Sequence, residues 1–318
     1  MGRFAPAFRS AAGERRAPAI GLIDRAFVSA LPLVPKPIVG KFSARYIAGA
    51  TLADAVREIR ALNAKGILAT IDILGEHVTQ LSQAERAKDE YLQVLEAVQT
   101  NGLDSNVSIK LTMLGLAIDP EFCYRQMRAI VEEAKRRGNF IRIDIEDSGV
   151  TDATFDVYRR LRAEFDNVGA AVQAYMRRTQ DDVTSFIEMK ANLRLCKGIY
   201  VEPRPIAWKG RGTINANFAY ALRRLLAGGC YVGIATHDER LIWETERVIR
   251  DLGLDHSRYE FQMLLGVDEE LRDVIHAAGH RLRVYVPFGK HWYAYSMRRL
   301  RENPKIARYA AMAALRLK

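Results

Sequence analysis

Residues 168–199 read VGAAVQAYMRRTQDDVTSFIEMKANLRLCKGI, and this stretch carries the repeating pattern that decides the fold. Its two ends, 168–174 and 193–199, are short runs rich in aliphatic residues, which is typical of buried strands. Between them, residues 181–192 carry apolar side chains at three- and four-residue spacing, which predicts a helix. A strand, a helix and a second strand in this order indicate a parallel βα unit.

The same alternation runs through the chain from residue 67 onward. It predicts eight strands, at residues 68–74, 107–111, 140–145, 168–174, 193–199, 231–235, 259–264 and 281–286. Helices are predicted between them, at residues 81–100, 120–137, 152–164, 181–192, 215–226, 239–252 and 268–278. Eight strands with helical crossovers over about 250 residues match an α/β fold of the (β/α)₈, TIM-type barrel class. An open doubly wound sheet is the alternative, but no GxGxxG motif follows any of these strands, so its dinucleotide-binding form has little support.

The domain organisation follows from where the alternation begins. We expect the barrel to occupy residues 67–318 and to end in a C-terminal helix, while residues 1–66 form an N-terminal arm with a helix at 51–65. No internal repeat or low-complexity linker indicates a further domain. The first 20 residues hold four Arg and a single acidic residue, a composition that also resembles a mitochondrial leader.

The composition is that of an ordinary globular protein. Of the 318 residues, 49% are hydrophobic and 27% are charged, which argues against disorder or a collagen-like repeat. The longest apolar stretch, residues 26–40, contains Pro32, Pro35 and Pro37, so it cannot form the roughly 20-residue helix that a bilayer requires. Three cysteines without CxxC spacing fit a reducing compartment better than a disulfide framework. We therefore expect an intracellular, cytoplasmic protein.

The net charge of +10 is concentrated at both ends of the chain. Residues 1–50 hold eight Lys or Arg against Glu14 and Asp24, and residues 281–318 hold ten against Glu302. Basic ends of this kind attract nucleic acid, an anionic membrane surface or an anionic substrate. Solvated surface charge explains them equally well.

In a barrel of this class, functional side chains gather at the C-terminal ends of the strands and in the loops that follow. Polar and charged residues occupy such positions along the whole chain: Asp72, Glu76, Lys110, Asp144, Glu146, Asp147, Gln173, Arg194, Lys197, Tyr200, Thr236, His237, Asp238, Gln262 and Tyr285. Charges inside apolar runs are costly to bury unless they are paired or used, so they favour a site. A metal site is disfavoured because the chain lacks HxH, HExxH and CxxC spacings. The absence of a GxSxG elbow and of a P-loop leaves a serine hydrolase or a P-loop nucleotide site without support.

The C-terminal segment adds two neighbouring arginines, Arg298 and Arg299. On a helix, Tyr295 and Arg299 lie four residues apart, as do Arg298 and Glu302, so adjacent faces each carry a guanidinium. Such a pair could bind a carboxylate or a phosphate through forked hydrogen bonds, with Lys110 as a third cation. Taken alone, the two arginines fit a charged surface helix better.

Taken in order, these segments resemble proline dehydrogenases. The resemblance is carried by IDILGE at 71–76, SIKLT at 108–112, RIDIEDS at 142–148, LRLCKGIY at 193–200, ATHD at 235–238, FQML at 261–264, Tyr285-x-Pro287-x-Gly289 and Tyr295-x-x-Arg298-Arg299-x-x-Glu302. Each piece is unspecific, whereas the ordered set is specific and runs from about residue 67 to residue 304. The chain length is similar to that of the compact monofunctional bacterial type.

The resemblance implies a distorted barrel that binds FAD noncovalently and oxidises L-proline to Δ1-pyrroline-5-carboxylate, the first step of proline catabolism, by hydride transfer to FAD N5 and onward electron transfer to a quinone. It implies catalytic roles for Asp144, Arg194 and Tyr285. Substrate contacts are implied for Lys110, Tyr200, Leu264, Arg298 and Arg299, and closure of the pocket by pairing with Arg298 for Glu76. Cofactor contacts are implied for Ile145, Gln173, Arg194, Lys197, Gly198, Ile199, Thr236, His237, Gln262 and Glu302.

Two residues depart from the pattern of the family. Asp238 stands where Asn is frequent and Ile199 where Ala is frequent, and either change could alter the affinity for FAD. The expected partners are L-proline, a quinone, an anionic membrane surface that the basic ends contact, and a downstream pyrroline-5-carboxylate dehydrogenase; no nucleic acid or metal ion is expected. From the residues alone, a flavin-free (β/α)₈ hydrolase and a nucleic-acid-binding protein that uses its basic termini remain open.

Overall fold

The computed structural model describes residues 35–75, 77–293 and 295–297. Its centre is a closed barrel of eight parallel strands in sequential order, in which the last strand pairs with the first. The strands are β1 (Leu68–Ile73), β2 (Ser105–Ile109), β3 (Ile141–Ile143), β4 (Val168–Gln173), β5 (Asn192–Cys196), β6 (Tyr231–Ala235), β7 (Tyr259–Leu264) and β8 (Leu282–Phe288). The predicted (β/α)₈ fold is therefore confirmed, and the open doubly wound sheet is wrong.

Residues 44–295 form one compact unit that contains the barrel, and the described residues 35–43 and 296–297 belong to a second unit. The helices are α1 (Lys36–Ser43), α2 (Leu52–Asn63), α3 (Leu81–Thr100), α4 (Pro120–Arg136), α5 (Thr151–Glu164), α6 (Thr179–Glu188), α7 (Arg211–Ala227), α8 (Glu239–Leu252) and α9 (Glu269–Ala277). Helix α2 packs against β1 and β8 within the barrel unit. Within the described ranges, no helix is both long enough and apolar enough to cross a membrane. The domain boundary at residue 66 stays a prediction. Of the predicted C-terminal helix, residues 292–293 and 295–297 are described and are helical, and the rest stays a prediction.

The interior of the barrel is polar. Ser108 of β2 and Gln262 of β7 both form hydrogen bonds with Arg194 of β5, although neither strand is a neighbour of β5. Such contacts are possible only across the inside of the barrel, so alternate residues of these strands point inward. The residues between them, such as Val107 and Leu193, are fully buried in the hydrophobic core. Barrels of this class usually fill their interior with branched aliphatic side chains, so a polar interior indicates a use for these residues.

Three strands end two or three residues earlier than the sequence predicts, and each of these early ends leaves a candidate site residue on a loop. Strand β2 ends at Ile109, so Lys110 directly precedes the 3₁₀ helix Leu111–Leu114. Strand β3 ends at Ile143, and Asp144 follows it. Strand β5 ends at Cys196 because Gly198 adopts a φ of +108°, which extended strands do not use.

Helix α6 also differs from the prediction, since it covers Thr179–Glu188 and not residues 181–192. Lys190 has a φ of +46°, and β5 begins at Asn192. A left-handed residue interrupts a right-handed helix, so the apolar periodicity continues past the point where the helix ends.

Candidate active site at the C-terminal end of the barrel

Asp144 lies at the centre of a buried cluster to which three other strands or their loops contribute. Its Oδ1 accepts hydrogen bonds from Arg194 Nη1 at 2.5 Å and from Ser108 Oγ at 2.6 Å. Its Oδ2 accepts one from Tyr285 Oη at 2.7 Å, and Lys110 Nζ lies 3.7 Å from the same oxygen. The fold thus brings together Lys110, Asp144, Arg194 and Tyr285, which the sequence analysis singled out separately.

The protonation states in this cluster are set by burial and by the neighbouring charges. Burial alone raises the pKa of Asp144, but the Arg194 guanidinium and the Lys110 ammonium lower it more, and the net result is a pKa below the ordinary value. Burial and the negative charge of Asp144 raise the pKa of Tyr285 well above its ordinary value. Tyr285 therefore stays protonated and donates its hydrogen bond to an ionised Asp144.

Arg194 is held at two of its three nitrogen atoms. Nη1 binds Asp144 and Ser108, and Nε donates to Gln262 Oε1 at 2.6 Å. Nη2 is buried and has no hydrogen-bond partner among the described residues. Buried polar atoms are nearly always paired, so this nitrogen is a donor available to a ligand. The ring of Tyr285, 5.2 Å from Arg194 Cζ, lies against the guanidinium.

Gln262 connects Arg194 to the N-terminal half of the barrel interior. Its Nε2 donates to Glu260 Oε1 at 2.6 Å. Glu260 is ionised because, although burial raises its pKa, the adjacent Arg283 lowers it to about 2. An ionised carboxylate only accepts hydrogen bonds, so the Gln262 amide must turn its nitrogen toward Glu260 and its oxygen toward Arg194.

The loops after β5 and β6 meet at Asp238. Its Oδ2 lies 2.5 Å from Lys197 Nζ, 2.9 Å from Arg211 Nη2 and 3.2 Å from Asn215 Nδ2. Its Oδ1 accepts the backbone N–H of Arg240 and caps helix α8. Burial alone raises the pKa of Asp238, but these partners lower it well below the ordinary value. Asp238, one of the two residues that depart from the family pattern, thus carries a negative charge beside a predicted cofactor contact, Lys197.

The remaining predicted site residues within the described ranges lie at the same end of the barrel. His237 Nε2 accepts the backbone N–H of Leu264 at 2.9 Å, and Gln173 Nε2 donates to the backbone oxygen of Glu146 at 3.0 Å. Thr236 Oγ1 accepts the backbone N–H of Asp238 at 3.1 Å. The others lie in the loops after β3 and β5: Ile145, Gly198, Ile199 and Tyr200.

The opposite end of the barrel has a different character. A cavity of about 660 Å³ opens there, lined by the first residues of the strands, among them Arg142, Glu260 and Arg283. None of the predicted site residues that the structure describes lines this cavity. Across the described ranges, no group of three or more His, Cys, Asp or Glu side chains is arranged to hold a metal ion.

Comparison with known proteins assigns the family. Residues 55–310 match the family model described as proline dehydrogenase. Proline dehydrogenase 1 of Bacillus subtilis subsp. natto is 35% identical over 272 residues, which cover 86% of this chain and 90% of that protein. The chain belongs to the proline dehydrogenase family. Proline dehydrogenase of Deinococcus radiodurans, 33% identical over 277 residues, covers 86% of this chain and 89% of its own length, so the predicted resemblance to the compact monofunctional bacterial type is confirmed.

The fold is shared with a much longer protein. The crystal structure of proline utilization A from Bdellovibrio bacteriovorus, inactivated by N-propargylglycine, matches with a TM-score of 0.81 and 22% identity. The match covers 89% of this chain and 36% of that one, so this chain spans about a third of the longer protein. These comparisons favour neither the flavin-free hydrolase nor the nucleic-acid-binding alternative.

Four residues of the proline dehydrogenase pattern lie outside the described residues: Glu76, Arg298, Arg299 and Glu302. Their roles stay predictions. Conversely, no role was predicted for Ser108 or Glu260, and Asp72 stood out in the sequence only as a charge at a strand end, although all three contact the cluster or its supports. The period of two along the strands could have found Glu260, because it places Glu260 on the same side of β7 as Gln262.

Proposed function

We propose that this member of the proline dehydrogenase family oxidises L-proline to Δ1-pyrroline-5-carboxylate and passes the electrons to FAD. The observation that carries the proposal is Arg194 Nη2, which is buried, has no partner in the part of the chain that the structure describes, and lies beside the cluster of Lys110, Asp144 and Tyr285. This arrangement offers a fixed donor for a cofactor and a buried cation for a small carboxylate. The relatives that cover most of the chain carry the name proline dehydrogenase, which supports this choice of substrate.

The residues present fit FAD. A flavin ring has nitrogen and carbonyl acceptors along one edge, and Arg194 Nη2 is a matching buried donor. The pyrophosphate of FAD is anionic, and Lys197 offers a partly exposed ammonium in the loop after β5. Arg194, Gln173 and Gln262 would hold the ring, and Ile145, Lys197, Gly198, Ile199, Thr236, His237 and Glu302 would hold the rest. FAD, when bound, supplies the acceptor for the hydride.

The protein binds and orients the substrate. Oxidation removes a hydride from the ring carbon that is bonded to the nitrogen but does not carry the carboxylate. The nitrogen loses a proton, and a C=N bond forms between the two atoms. Anchoring the carboxylate at the far side of the ring fixes which carbon reacts and lowers the entropic part of the barrier. Lys110, together with Arg298 and Arg299, would bind this carboxylate.

The ring of the substrate needs an apolar surface with a fixed orientation. Tyr285 offers one, because its hydroxyl is fastened to Asp144 at 2.7 Å. Leu264 and Tyr200 would line the same pocket. Arg194 would place a positive charge beside the bound cofactor, and a preorganised charge of this kind stabilises negative charge that develops in a transition state.

The first test is spectroscopic. The purified protein should bind FAD, and anaerobic addition of L-proline should bleach its visible absorbance. A protein that neither contains nor takes up FAD, or whose flavin spectrum L-proline leaves unchanged, would contradict the proposal.

The second test concerns the substrate carboxylate. Arg298→Met and Arg299→Met should each lower kcat/KM for L-proline by roughly 10- to 150-fold, because hydrogen bonds to charged groups contribute about 1.5–3 kcal/mol. Lysine at either position should restore only part of the loss, since an ammonium lacks the planar fork. Arg301→Met, in the same basic run, is the matched control and should leave kcat/KM unchanged. Full activity in both arginine variants would refute the clamp.

The electron acceptor belongs to the same proposal at finer detail. Electrons would leave to a quinone, and the basic ends would bring the protein to an anionic membrane surface, at about 1 kcal/mol per basic residue near the surface. Co-sedimentation with vesicles that contain phosphatidylserine should fall as salt rises. Binding that depends on neither anionic lipid nor salt would argue against the membrane contact.

A further inference from the structure

Asp72 is a buried carboxylate for which the proposed reaction has not yet given a role. It lies in β1, only 1% exposed, and both of its oxygens are 3.0 Å from Lys110 Nζ. Lys110 is itself 8% exposed. Because both charged groups are buried and the ammonium contacts both carboxylate oxygens, each group holds the other in one geometry.

The other contacts of Lys110 are longer. Its Nζ lies 3.5 Å from Tyr285 Oη and 3.7 Å from Asp144 Oδ2. Asp144 already accepts hydrogen bonds from Arg194, Ser108 and Tyr285, so its charge is shared. Among the described residues, Asp72 is the only carboxylate within normal hydrogen-bond distance of the Lys110 ammonium.

We propose that Asp72 is a positioning residue: it keeps Lys110 charged inside the barrel and fixes the ammonium so that its remaining N–H faces the substrate carboxylate. The inference rests on the proposed function, since it assigns the residue that prepares one of the proposed carboxylate ligands. Asp72 does not touch the substrate and acts through Lys110. With Asp72 in place, Lys110 serves as an oriented hydrogen-bond donor, and most of its charge is offset.

The charge balance around Lys110 explains why the partner is needed. Burial lowers the pKa of Lys110, but Asp72 and Asp144 raise it more, and the net shift is upward. Tyr285 also faces this ammonium at 3.5 Å, and Tyr200 and Glu146 interact with it electrostatically. Of these three, Tyr285 remains protonated. Without the Asp72 charge, burial would be opposed mainly by an Asp144 that is already shared with Arg194, so the pKa of Lys110 would fall.

The matched variants are Asp72→Asn, Asp72→Glu and Lys110→Met, with Glu133→Gln as the control. Glu133 is a carboxylate near the C-terminal end of α4, ion-paired with Arg137 and outside the cluster. Asp72→Asn should raise KM for L-proline roughly tenfold or more and change kcat much less. Its KM should also climb on the alkaline side at a lower pH than in the wild type, because the Lys110 ammonium deprotonates earlier. Asp72→Glu should recover part of the affinity, and Glu133→Gln should keep the wild-type pH profile.

The double variant Asp72→Asn/Lys110→Met makes the inference falsifiable even if Asp72→Asn alone folds poorly. Removing both partners leaves no uncompensated charge, and its KM should equal that of Lys110→Met. A pH profile of Asp72→Asn that superimposes on the wild type, or additive effects in the double variant, would overturn the role of Asp72. If the wild type fails to oxidise L-proline, the proposed function fails instead. Calorimetric binding of tetrahydro-2-furoate, a ring carboxylate without the oxidisable N–H, then tests Asp72→Asn separately: weaker binding supports the inference and equal binding refutes it.

Discussion

The two ends of the barrel interior use buried charges differently. At the N-terminal end, Arg283 directs Nε and Nη2 to Glu260 at 2.7 and 3.0 Å and Nη1 to the backbone oxygen of Ala69 at 2.6 Å. At the C-terminal end, Arg194 keeps a buried nitrogen that has no partner among the described residues. Lys110 is paired with Asp72 at 3.0 Å but approaches Asp144 only to 3.7 Å. The end that holds the Arg283–Glu260 pair, here called the paired end, supports the fold, although Arg142 Nε there is also buried without a partner among the described residues. The C-terminal end, here called the open end, holds the residues that can bind ligands, which is the usual division of roles in this class of barrel.

The two ends are also joined. Gln262 receives the hydrogen bond of Arg194 on its oxygen and donates to Glu260 from its nitrogen. Because the ionised Glu260 can only accept a hydrogen bond, it binds the amide nitrogen of Gln262. The amide oxygen of Gln262 is therefore directed to Arg194. We therefore expect substitution of Glu260 to lower mainly the stability of the protein and substitution of Arg194 to lower mainly its turnover.

The largest expected effect is on stability, in Glu260→Gln. The substitution keeps the shape of the side chain but leaves the Arg283 guanidinium buried without its counter-ion, and breaking a buried pair in this way costs about 3–5 kcal/mol. Denaturant unfolding at neutral pH should show this loss. A wild-type unfolding midpoint would contradict the assignment of this end to stability.

The pH dependence of that loss follows from the pKa of Glu260. It is lowered in the folded state to about 2, so the stabilisation from Glu260 is present above the ordinary pKa of the unfolded chain. It disappears as the pH falls from that ordinary value toward about 2. The difference in stability between the wild type and Glu260→Gln should therefore be full at neutral pH and narrow on acidification. A difference that stays constant would show that the ionised carboxylate is not its source.

The next effect is on turnover, in Arg194→Met. If Arg194 lies at the reacting centre as proposed, losing its preorganised charge should lower kcat for L-proline by about 100- to 1,000-fold. The measurement uses excess FAD, so that weaker binding of the proposed cofactor is compensated. Arg128→Met is the control, because Arg128 forms ion pairs with Glu132 and Glu164 at the surface. Normal kcat in Arg194→Met would place the chemistry elsewhere.

The fold was predictable because every strand carries apolar residues at the positions that face the core. Residues such as Ile71, Val107 and Leu193 pack in the core, and hydrophobic burial depends on the pattern and not on a particular partner. The strand ends were less predictable. Gly198 ends the β5 run through its own φ of +108°, and a steric preference of one residue does not alter the apolar pattern.

The residues of the candidate site could be predicted from the sequence, but the contacts between them could not. Lys110, Asp144 and Arg194 stood out as charges in apolar runs, but their pairing depends on distances across the barrel that no local pattern contains. Asp72 and Glu260 were left without roles for the same reason: each acts through one long-range partner, Lys110 and Gln262 respectively. Residues that touch a ligand are recognisable by type, whereas residues that orient them are recognisable only by contact.

The smallest expected effect separates burial from hydrogen-bond geometry. Arg160 on α5 binds Glu121 on α4 through both guanidinium branches at 2.6 and 2.9 Å, which is as well formed as the Arg283–Glu260 pair. The Glu121 side chain is 62% exposed, against 2% for Glu260. Because water and salt screen the outer pair and solvate whichever partner is left, Glu121→Gln should leave the unfolding midpoint almost unchanged. Measured beside Glu260→Gln at low and high salt, it should show only a slight effect at low salt. Equal losses in the two variants would mean that geometry alone determines the strength of these pairs, and the distinction between the inside and the outside of the barrel would then fail.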